Sequence, residues 1–566
     1  MSDIIRHDVL IIGGGLAGLR AAIEAHDHGA DTAVISKVYP MRSHSVAAQG
    51  GINAALGNAH GSKNDNWQDH AFDTIQGSVY LADQDAVEVL CREAPQTVIE
   101  LEHWGTVFSR DNDGKIAQRP FGGAGVSRTC YAADRTGHNL MNTLFEQANA
   151  RGIKFYNEYI VTILAVQDKT CYGCIAMEIP TGKLYGFASQ SLVLATGGYG
   201  RIYERSTNSL INTADGLALA YHCGAALKDM EFVQFHPTTL YGSNILISEG
   251  ARGEGGYLIN SAGERFMSKY APKAKELAPR DIVARSIISE IDEGFGFDDE
   301  YVHLDLTHLG ADKIDERLPG IRQIALDFAN LDPVEDSIPV QPGQHYSMGG
   351  IDVNNEGETE FAGLYAAGEC ACISVHGANR LGGNSLLDAV VFGKITGKKA
   401  CSSKDGMANL SVIESELAKE KTRLDDLRDG NGEDSIKLLQ ELRRTMFCKF
   451  GIYRDEEKME EGLFKIRELK RKYRNAKLAY TSKKFNQVLV KYLELGYMIE
   501  VAEAIAVSAA GRKESRGSHY RTDYPKRNDE HYLKHSIAVR NEDNSPLLNL
   551  SVVRSGLFSV EESEYQ

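Results

Sequence analysis

His7-Asp8-Val9-Leu10-Ile11-Ile12-Gly13-Gly14-Gly15-Leu16-Ala17-Gly18 decides the fold of this chain. The apolar run ending at Ile12 reads as a buried parallel strand. It passes directly into Gly13-Gly14-Gly15-Leu16-Ala17-Gly18, a G-x-G-x-x-G pattern, and Leu19 to His28 then reads as a helix stopped by Gly29. In that setting each glycine has a reason. Gly13 permits the tight turn, Gly15 lets backbone approach a pyrophosphate, Gly18 lets helix pack on strand, and the helix N-terminus faces the anion. The pattern alone is common; between a strand and a helix it predicts a dinucleotide-binding unit.

Working outward, Thr32-Ala33-Val34-Ile35 reads as a second strand ending at Ser36-Lys37. The acidic residue that holds an NAD ribose at such a strand end is missing, which leaves FAD as the better dinucleotide. Two distant pieces agree. Ser191-Leu192-Val193-Leu194-Ala195-Thr196-Gly197-Gly198 and Gly363-Leu364-Tyr365-Ala366-Ala367-Gly368-Glu369 are each a strand running into a glycine turn, the kind of piece that closes an FAD domain.

At 566 residues the chain is too long for one ordinary core, and about two to four domains are expected. Its 42% hydrophobic and 25% charged residues are the composition of a globular protein. A net charge of −16 argues against a nucleic-acid partner, whose phosphates need a basic face. An anionic substrate would therefore need its own concentration of Arg and His. The nine cysteines are scattered and read as reduced thiols. Cys171-Tyr172-Gly173-Cys174 has no second pair at zinc spacing, so no metal site is expected, and Cys370 and Cys372 read as packing residues. No apolar run approaches the roughly 20 residues of a membrane span. No signal or transit segment precedes the first strand, so membrane association is expected to run through a partner.

Further motifs are long and specific: Arg42-Ser43-His44-Ser45-Val46-Ala47-Ala48-Gln49-Gly50-Gly51, Gln118-Arg119-Pro120-Phe121-Gly122-Gly123, Ala132-Ala133-Asp134-Arg135-Thr136-Gly137-His138 and Asp229-Met230-Glu231-Phe232-Val233-Gln234-Phe235-His236-Pro237-Thr238. They continue with Glu249-Gly250-Ala251-Arg252-Gly253-Glu254-Gly255-Gly256, Pro279-Arg280-Asp281, His345-Tyr346-Ser347-Met348-Gly349-Gly350 and His376-Gly377-Ala378-Asn379-Arg380-Leu381-Gly382-Gly383-Asn384-Ser385-Leu386. With the cofactor pieces, they make the chain resemble, nearly end to end, the flavoprotein subunit of succinate dehydrogenases and fumarate reductases.

The resemblance implies an α/β FAD-binding (Rossmann-like) domain over 1–236 and 351–405 with an inserted α+β capping domain over 237–350. A C-terminal helical bundle over 410–512 and a small C-terminal domain over 513–566 follow. The spacing itself predicts amphipathic helices over 435–450, 456–477 and 484–509, after a break at Asp429-Gly430-Asn431-Gly432.

The resemblance also implies FAD bonded covalently through His44. A substituent there makes the flavin easier to reduce, which helps because a saturated dicarboxylate is a poor hydride donor. Gly13, Gly15, Gly18, Ser36 and Lys37 are expected at the nucleotide portion, with Gln49 and Gly51 in the segment of His44. Asp215 and Glu369 are expected at the flavin side, and Ser385 and Leu386 closing over the ring. Asp215 follows Ala214 where the family usually has Gly, which restricts the loop's angles.

For the substrate, the matching positions are His236, Ser248, His345 and Arg380, which would grip two carboxylates; Ser248 keeps the hydroxyl where Thr is common. Arg offers a carboxylate a bidentate fork, and His donates N–H bonds. Arg280 would handle the proton, fed by Glu249 and Arg252, with positive charge from Arg252 and Arg380 easing proton loss. An Arg280 simply ion-paired with Asp281 or Glu249 is the alternative. The implied reaction moves a hydride from succinate to the flavin and a proton to Arg280, giving fumarate.

The chain has no four-cysteine iron–sulfur spacing. The resemblance therefore implies a separate iron–sulfur subunit, a membrane anchor exchanging electrons with quinone, and a flavin-attachment assembly factor. The location implied is peripheral, on the cytoplasmic side of the inner (cell) membrane. Gln49 stands where some fumarate reductases place Glu, and a carboxylate there would lower the flavin potential, so succinate oxidation is favoured over fumarate reduction. L-Aspartate oxidase shares the fold but lacks the flavin-bonding His. A FAD-binding electron carrier without a substrate of its own would not need His236, Ser248, Arg280, His345 and Arg380 together.

Overall fold

The opening segment folds as its residues dictate. In the computed structural model, which describes residues 3–402, 409–427, 432–478, 480 and 482–561, Val9–Ile12 is a fully buried strand and Leu16–Asp27 the helix after it. The helix begins at Leu16 rather than Leu19 and puts Gly18 in its first turn, where a Cβ would stand 1.9 Å from the Gly13 carbonyl oxygen. Gly13 itself has φ +118°, and a Cβ there would meet the Ala195 carbonyl oxygen at 2.1 Å. Neither position has room for a side chain.

Val9–Ile12 is the middle of a five-stranded parallel sheet ordered Leu364–Ala366, Ser191–Leu194, Val9–Ile12, Thr32–Ser36, Lys154–Asn157. The three pieces read separately in the sequence are thus neighbouring strands. Their carboxyl ends open on one edge, where open α/β sheets bind ligands. A second sheet carries Tyr159–Gln167, Thr170–Glu178 and Lys183–Ala188 as an antiparallel meander, with Ile4–Arg6 parallel at its edge.

Between Ser191–Leu194 and Leu364–Ala366 the chain builds an antiparallel sheet ordered Val233–Leu240, Ile338–Ser347, Val302–Asp305, Tyr257–Ile259. It has its own core, with Leu240, Ile247, Leu258, Val283, Ile287, Val302, Leu304, Ile338 and Val340 buried together. The long pair Val233–Leu240 with Ile338–Ser347 is broken twice, between Gln234 and Phe235 and between His236 and Thr239. Pro237 lies in the second break, where its missing N–H costs no ladder bond. Such bulges re-aim side chains, and they place His236 and His345 beside each other.

The C-terminal region has helices Leu410–Asp426, Ser435–Lys449, Glu456–Tyr473 and Gln487–Gly511. Asp434, Asp455 and Asn486 accept a backbone N–H at the starts of the last three, so the starts are fixed by caps rather than by apolar spacing. This moves the last helix from the expected Lys484 to Gln487, and the third ends at Tyr473 instead of Lys477. The first helix was not foreseen as an element. Asp429, Gly430 and Asn431 of the expected break, and residues 403–405 and 562–566 of the expected domains, lie outside the described residues.

The chain's last part is joined to the FAD-binding part through backbone and buried charge. Lys534–Arg540 pairs with Leu227–Lys228 on one side and Pro546–Val552 on the other, in a five-stranded sheet that also holds Gly350–Asp352 and Ala371–Cys372. Arg512 pairs with Glu231 at 2.5 Å and Glu514 at 2.9 Å, and Arg516 with Glu514 at 2.8 Å, all buried. Glu231 lies just upstream of the strand carrying Gln234 and His236, so this cluster anchors that strand.

Candidate active site

The strand ends, the 44–51 segment and the inserted sheet enclose a cleft of about 620 Å³. Most of the residues expected from the sequence line it: Gly13, Gly15, Ser36, Lys37, His44, Gln49, Gly51, Asp215, Glu369, Ser385 and Leu386 along its length, and His236, Ser248, Glu249, Arg280, His345 and Arg380 at one end. Gly18 and Arg252 do not line it. Gly18 serves helix packing, and Arg252 lies behind Glu249.

The residues present fit a dinucleotide. A Cβ at Gly15 would have only Ser45 Oγ (3.4 Å) and Ser43 Cβ (3.9 Å) near it, which leaves the helix N-terminus open to a pyrophosphate. Gln49 Nε2 donates to the Leu246 carbonyl at 3.2 Å, while Gln49 Oε1 is buried without a partner and offers an acceptor to a ring N–H. Arg119 holds this segment by donating from Nε to the Gly50 carbonyl at 3.0 Å and from its NH2 nitrogen to the Gln49 carbonyl at 3.1 Å.

His44 is braced by residues the sequence reading missed. Ser209 N donates to His44 Nδ1 at 3.3 Å, and Asn208 Nδ2 stands 3.4 Å from Nε2 while donating to the His345 carbonyl at 2.7 Å. Burial lowers the His44 pKa to about 4, so the ring is neutral. Asn208 sits in a polar loop with no spacing rule, and no sequence signal singled it out.

Lys37 departs from expectation. An ammonium has three donors, and here Thr213 Oγ1 at 2.8 Å, Asp215 Oδ2 at 2.7 Å and Glu494 Oε1 at 2.7 Å take all of them. Lys37 and Asp215, expected at the nucleotide portion and the flavin side respectively, both line the cleft and are in direct contact. Glu369 accepts from Ser347 N at 3.0 Å, and burial raises its pKa to about 7.

At the other end the charges gather. Arg280 opens helix Arg280–Glu290, and its Nε donates to Glu249 Oε2 at 2.7 Å. Glu249 Oε1 accepts from Gly122 N at 2.7 Å. Burial works against the carboxylate, but Arg280 and Arg252 hold the Glu249 pKa below the usual carboxylate range. The structure thus has the Arg280–Glu249 ion pair given above as the alternative, in the same contact that a proton relay needs. Arg252 donates to the Glu276 carbonyl, and its remaining nitrogens are buried without partners. Burial, then the charge of Arg280, lowers the Arg380 pKa to about 9.

Gln234, quoted in a motif but given no role, joins the two arginines. Its Oε1 accepts from Arg280 and from Arg380, each at 3.0 Å, while its Nε2 donates to Asn379 Oδ1 at 2.8 Å and to the Arg380 carbonyl at 2.9 Å. His236 and His345 face each other with ring centroids 5.0 Å apart. Thr238 N lies 3.2 Å from His236 Nδ1, and Thr207 Oγ1 lies 2.9 Å from His345 Nδ1. Burial holds both histidines well below their ordinary pKa, with further lowering from Arg280 beside His236 and from His236 beside His345. Ser248 Oγ accepts from Gly250 N at 3.1 Å as the cap of helix Glu249–Gly253, which leaves its O–H free to donate to a carboxylate. A carboxylate clamp on charged forks and neutral N–H donors is what this end of the cleft can provide.

Comparison with known proteins decides the family. The FAD binding domain family matches residues 8–386, and the fumarate reductase flavoprotein C-terminal family matches residues 439–565. The succinate dehydrogenase flavoprotein subunit of Rickettsia conorii is 45% identical over 97% of this chain and 96% of its own. The chain belongs to the succinate dehydrogenase and fumarate reductase flavoprotein family. Another member, the 8-methylmenaquinol:fumarate reductase flavoprotein subunit of Wolinella succinogenes, is 43% identical over 100% of this chain and 93% of its own. A solved E. coli quinol fumarate reductase chain superposes with a TM-score of 0.95 at 40% identity, covering 99% of both chains. As a family member the chain is an FAD-binding oxidoreductase. Among the described residues no helix is long and apolar enough to cross a membrane, and no group of His, Cys, Asp and Glu could hold a metal ion.

Proposed function

We propose that this chain interconverts succinate and fumarate as the flavoprotein subunit of a membrane-bound complex, with FAD bonded to His44. The observation that carries the reading is the meeting of His236, Ser248, Arg280, His345 and Arg380 at one end of the cleft that His44 lines. Bound FAD supplies the two-electron redox chemistry; the chain supplies geometry and charge. Arg380, Ser248 and the two histidines hold the carboxylates, and fixing both ends of a four-carbon dianion sets its central carbons in one orientation. Arg280 handles the proton on the carbon next to the reacting one, and Glu249 and Arg252 connect it to the protein behind. Gln49, rather than a carboxylate, favours the oxidative direction.

An iron–sulfur subunit takes the electrons and a membrane anchor passes them to quinone. An assembly factor assists flavin attachment, and the complex holds this chain peripherally on the cytoplasmic side of the membrane. The test is acid-stable flavin fluorescence on the denatured chain beside His44→Ala, with succinate-dependent reduction of an artificial acceptor. A fluorescent band abolished by the substitution, with turnover in the parent, is expected. A parent that releases all its flavin on denaturation refutes the covalent assignment, and a flavin-loaded parent inert to both succinate and fumarate refutes the substrate.

A further inference from the structure

The long helix Gln487–Gly511 belongs to the C-terminal bundle, yet it reaches the cofactor cleft at two points. At the first, Glu494 Oε1 takes one of the three Lys37 donors at 2.7 Å, and the other Glu494 oxygen accepts from Lys491 at 2.6 Å. At the second, one turn on, the Tyr497 hydroxyl donates to the Val161 carbonyl at 3.1 Å. Lys37, Asp215 and Val161 all line the cleft. Glu494 and Tyr497 do not, and their side chains are 2% and 4% exposed respectively.

Lys37 follows the strand Thr32–Ser36, on one wall of the cleft. Thr213 and Asp215 form the turn that opens helix Asp215–His222, on the other. The ammonium spans the two walls, and the Thr213 hydroxyl donates onward to Asp215 Oδ1 at 2.6 Å. Because all three donors are engaged within the protein, Lys37 acts as a strut rather than as a hydrogen-bond donor to a ligand. A strut of this kind holds an already formed cleft at fixed width, and preorganisation strengthens binding by reducing the ordering that the ligand must impose.

We propose that Glu494 is a positioning residue for the dinucleotide: acting through Lys37, the helix Gln487–Gly511 braces the back wall of the cleft and strengthens noncovalent FAD binding. The inference rests on the FAD reading above. It makes the C-terminal bundle a part of the cofactor site.

The test measures FAD dissociation in a His44→Ala background, where cofactor exchange does not depend on covalent attachment. Glu494→Gln removes one of the two carboxylate charges that hold Lys37, leaving Asp215 in place. Glu503→Gln on the same helix removes an equally buried carboxylate, paired with Arg467 at 3.0 Å and Lys470 at 2.8 Å and outside the cleft lining. The expected result is FAD binding weakened by about tenfold in Glu494→Gln, the loss appropriate to one charge-assisted bond, and unchanged in Glu503→Gln. Thermal melting of both cofactor-free variants measures the purely structural effect. Equal FAD affinity in Glu494→Gln and its parent, or equal weakening in both variants, overturns the proposal. A chain with His44 intact that carries no FAD overturns the FAD reading itself, and this inference with it.

Discussion

Replacing Gln234 with leucine is the sharpest probe of the anion clamp. Its Oε1 is the shared acceptor of Arg280 and Arg380 at 3.0 Å each, and the side chain is fully buried. Two guanidiniums repel each other. A common acceptor between them offsets that repulsion and fixes their spacing without neutralising either charge. Leucine keeps the approximate volume and removes the acceptor. Two bonds to charged donors, at about 1.5–3 kcal/mol each, make roughly 3–6 kcal/mol available to be lost. If all of it appears in the transition state, kcat/KM for succinate falls by about 10²–10⁴, at roughly 1.4 kcal/mol per decade. The assay is steady-state succinate oxidation with an artificial acceptor, normalised to bound flavin, alongside fumarate reduction. Both directions should fall together, because the clamp serves both ligands. A flavin-loaded Gln234→Leu enzyme within about threefold of the parent would refute the reasoning.

Other perturbations test other parts of the structure. His535 lies 2.7 Å from Asp229 and 3.2 Å from Asp83; burial opposes its charge, but the carboxylates raise its pKa from 6.5 to about 9. Its stabilisation, about 3 kcal/mol, is fully present below pH 6.5 and lost as pH rises through 9, so Tm should fall between pH 6 and 10 and do so less in His535→Gln. Gly13→Ala drives a Cβ to 2.1 Å from the Ala195 carbonyl oxygen at φ +118°; flavin per protein should drop by more than about tenfold with far-UV dichroism largely kept. Ala214 has φ +67° and ψ 15°, so Ala214→Gly should raise the denaturant midpoint by an amount equivalent to up to about 1 kcal/mol.

The sequence was legible where backbone geometry restricts residue choice. The turn at Gly13 and the strand ends at Gly197 and Gly368 each demand a particular residue, so they announce themselves in one dimension, whereas the left-handed start at Ala214 emerges only in the structure. The helices Ser435–Lys449 and Glu456–Tyr473 were legible for the related reason that apolar spacing marks a buried face, whereas Gln487–Gly511, read as amphipathic, is buried on nearly every side. The starts at Ser435 and Glu456 stand where they were read, while the last moves from Lys484 to Gln487, where Asn486 caps the first turn. What stayed hidden depends on side chains meeting across the fold. Gln234 lies 46 residues from Arg280 and 146 from Arg380 in sequence, and Glu494 lies 457 residues from Lys37. An amide in a strand and a glutamate in a largely apolar helix carry no local mark of such partners. Lys37 is placed at the cofactor by resemblance, and the structure adds its contacts with Thr213, Asp215 and Glu494, which no local pattern announced.

If the clamp is the substrate site proposed above, its electrostatics account for how a chain of net charge −16 takes an anion. Arg252, Arg280 and Arg380 stand against one fully ionised carboxylate, Glu249, which leaves an excess of two positive charges. Glu369, with its pKa near 7, offsets only part of this. The excess matches a dicarboxylate dianion and exceeds the charge of any monocarboxylate. Charging His236 or His345 as well would overshoot it, and burial prevents this by keeping both rings neutral at physiological pH. On the proposed reading, the histidines recognise shape and hydrogen bonding, while the arginines recognise charge. On the proposed reading, selectivity for the dianion follows from the cost of leaving buried charge uncompensated: Arg280 already has Glu249 at 2.7 Å, so with one carboxylate bound one positive charge of the buried pair Arg252 and Arg380, at 2% and 4% exposure, remains unmatched. The same balance accounts for the neutral Gln234 between those two arginines, where a carboxylate would fill the role of the substrate and weaken its binding.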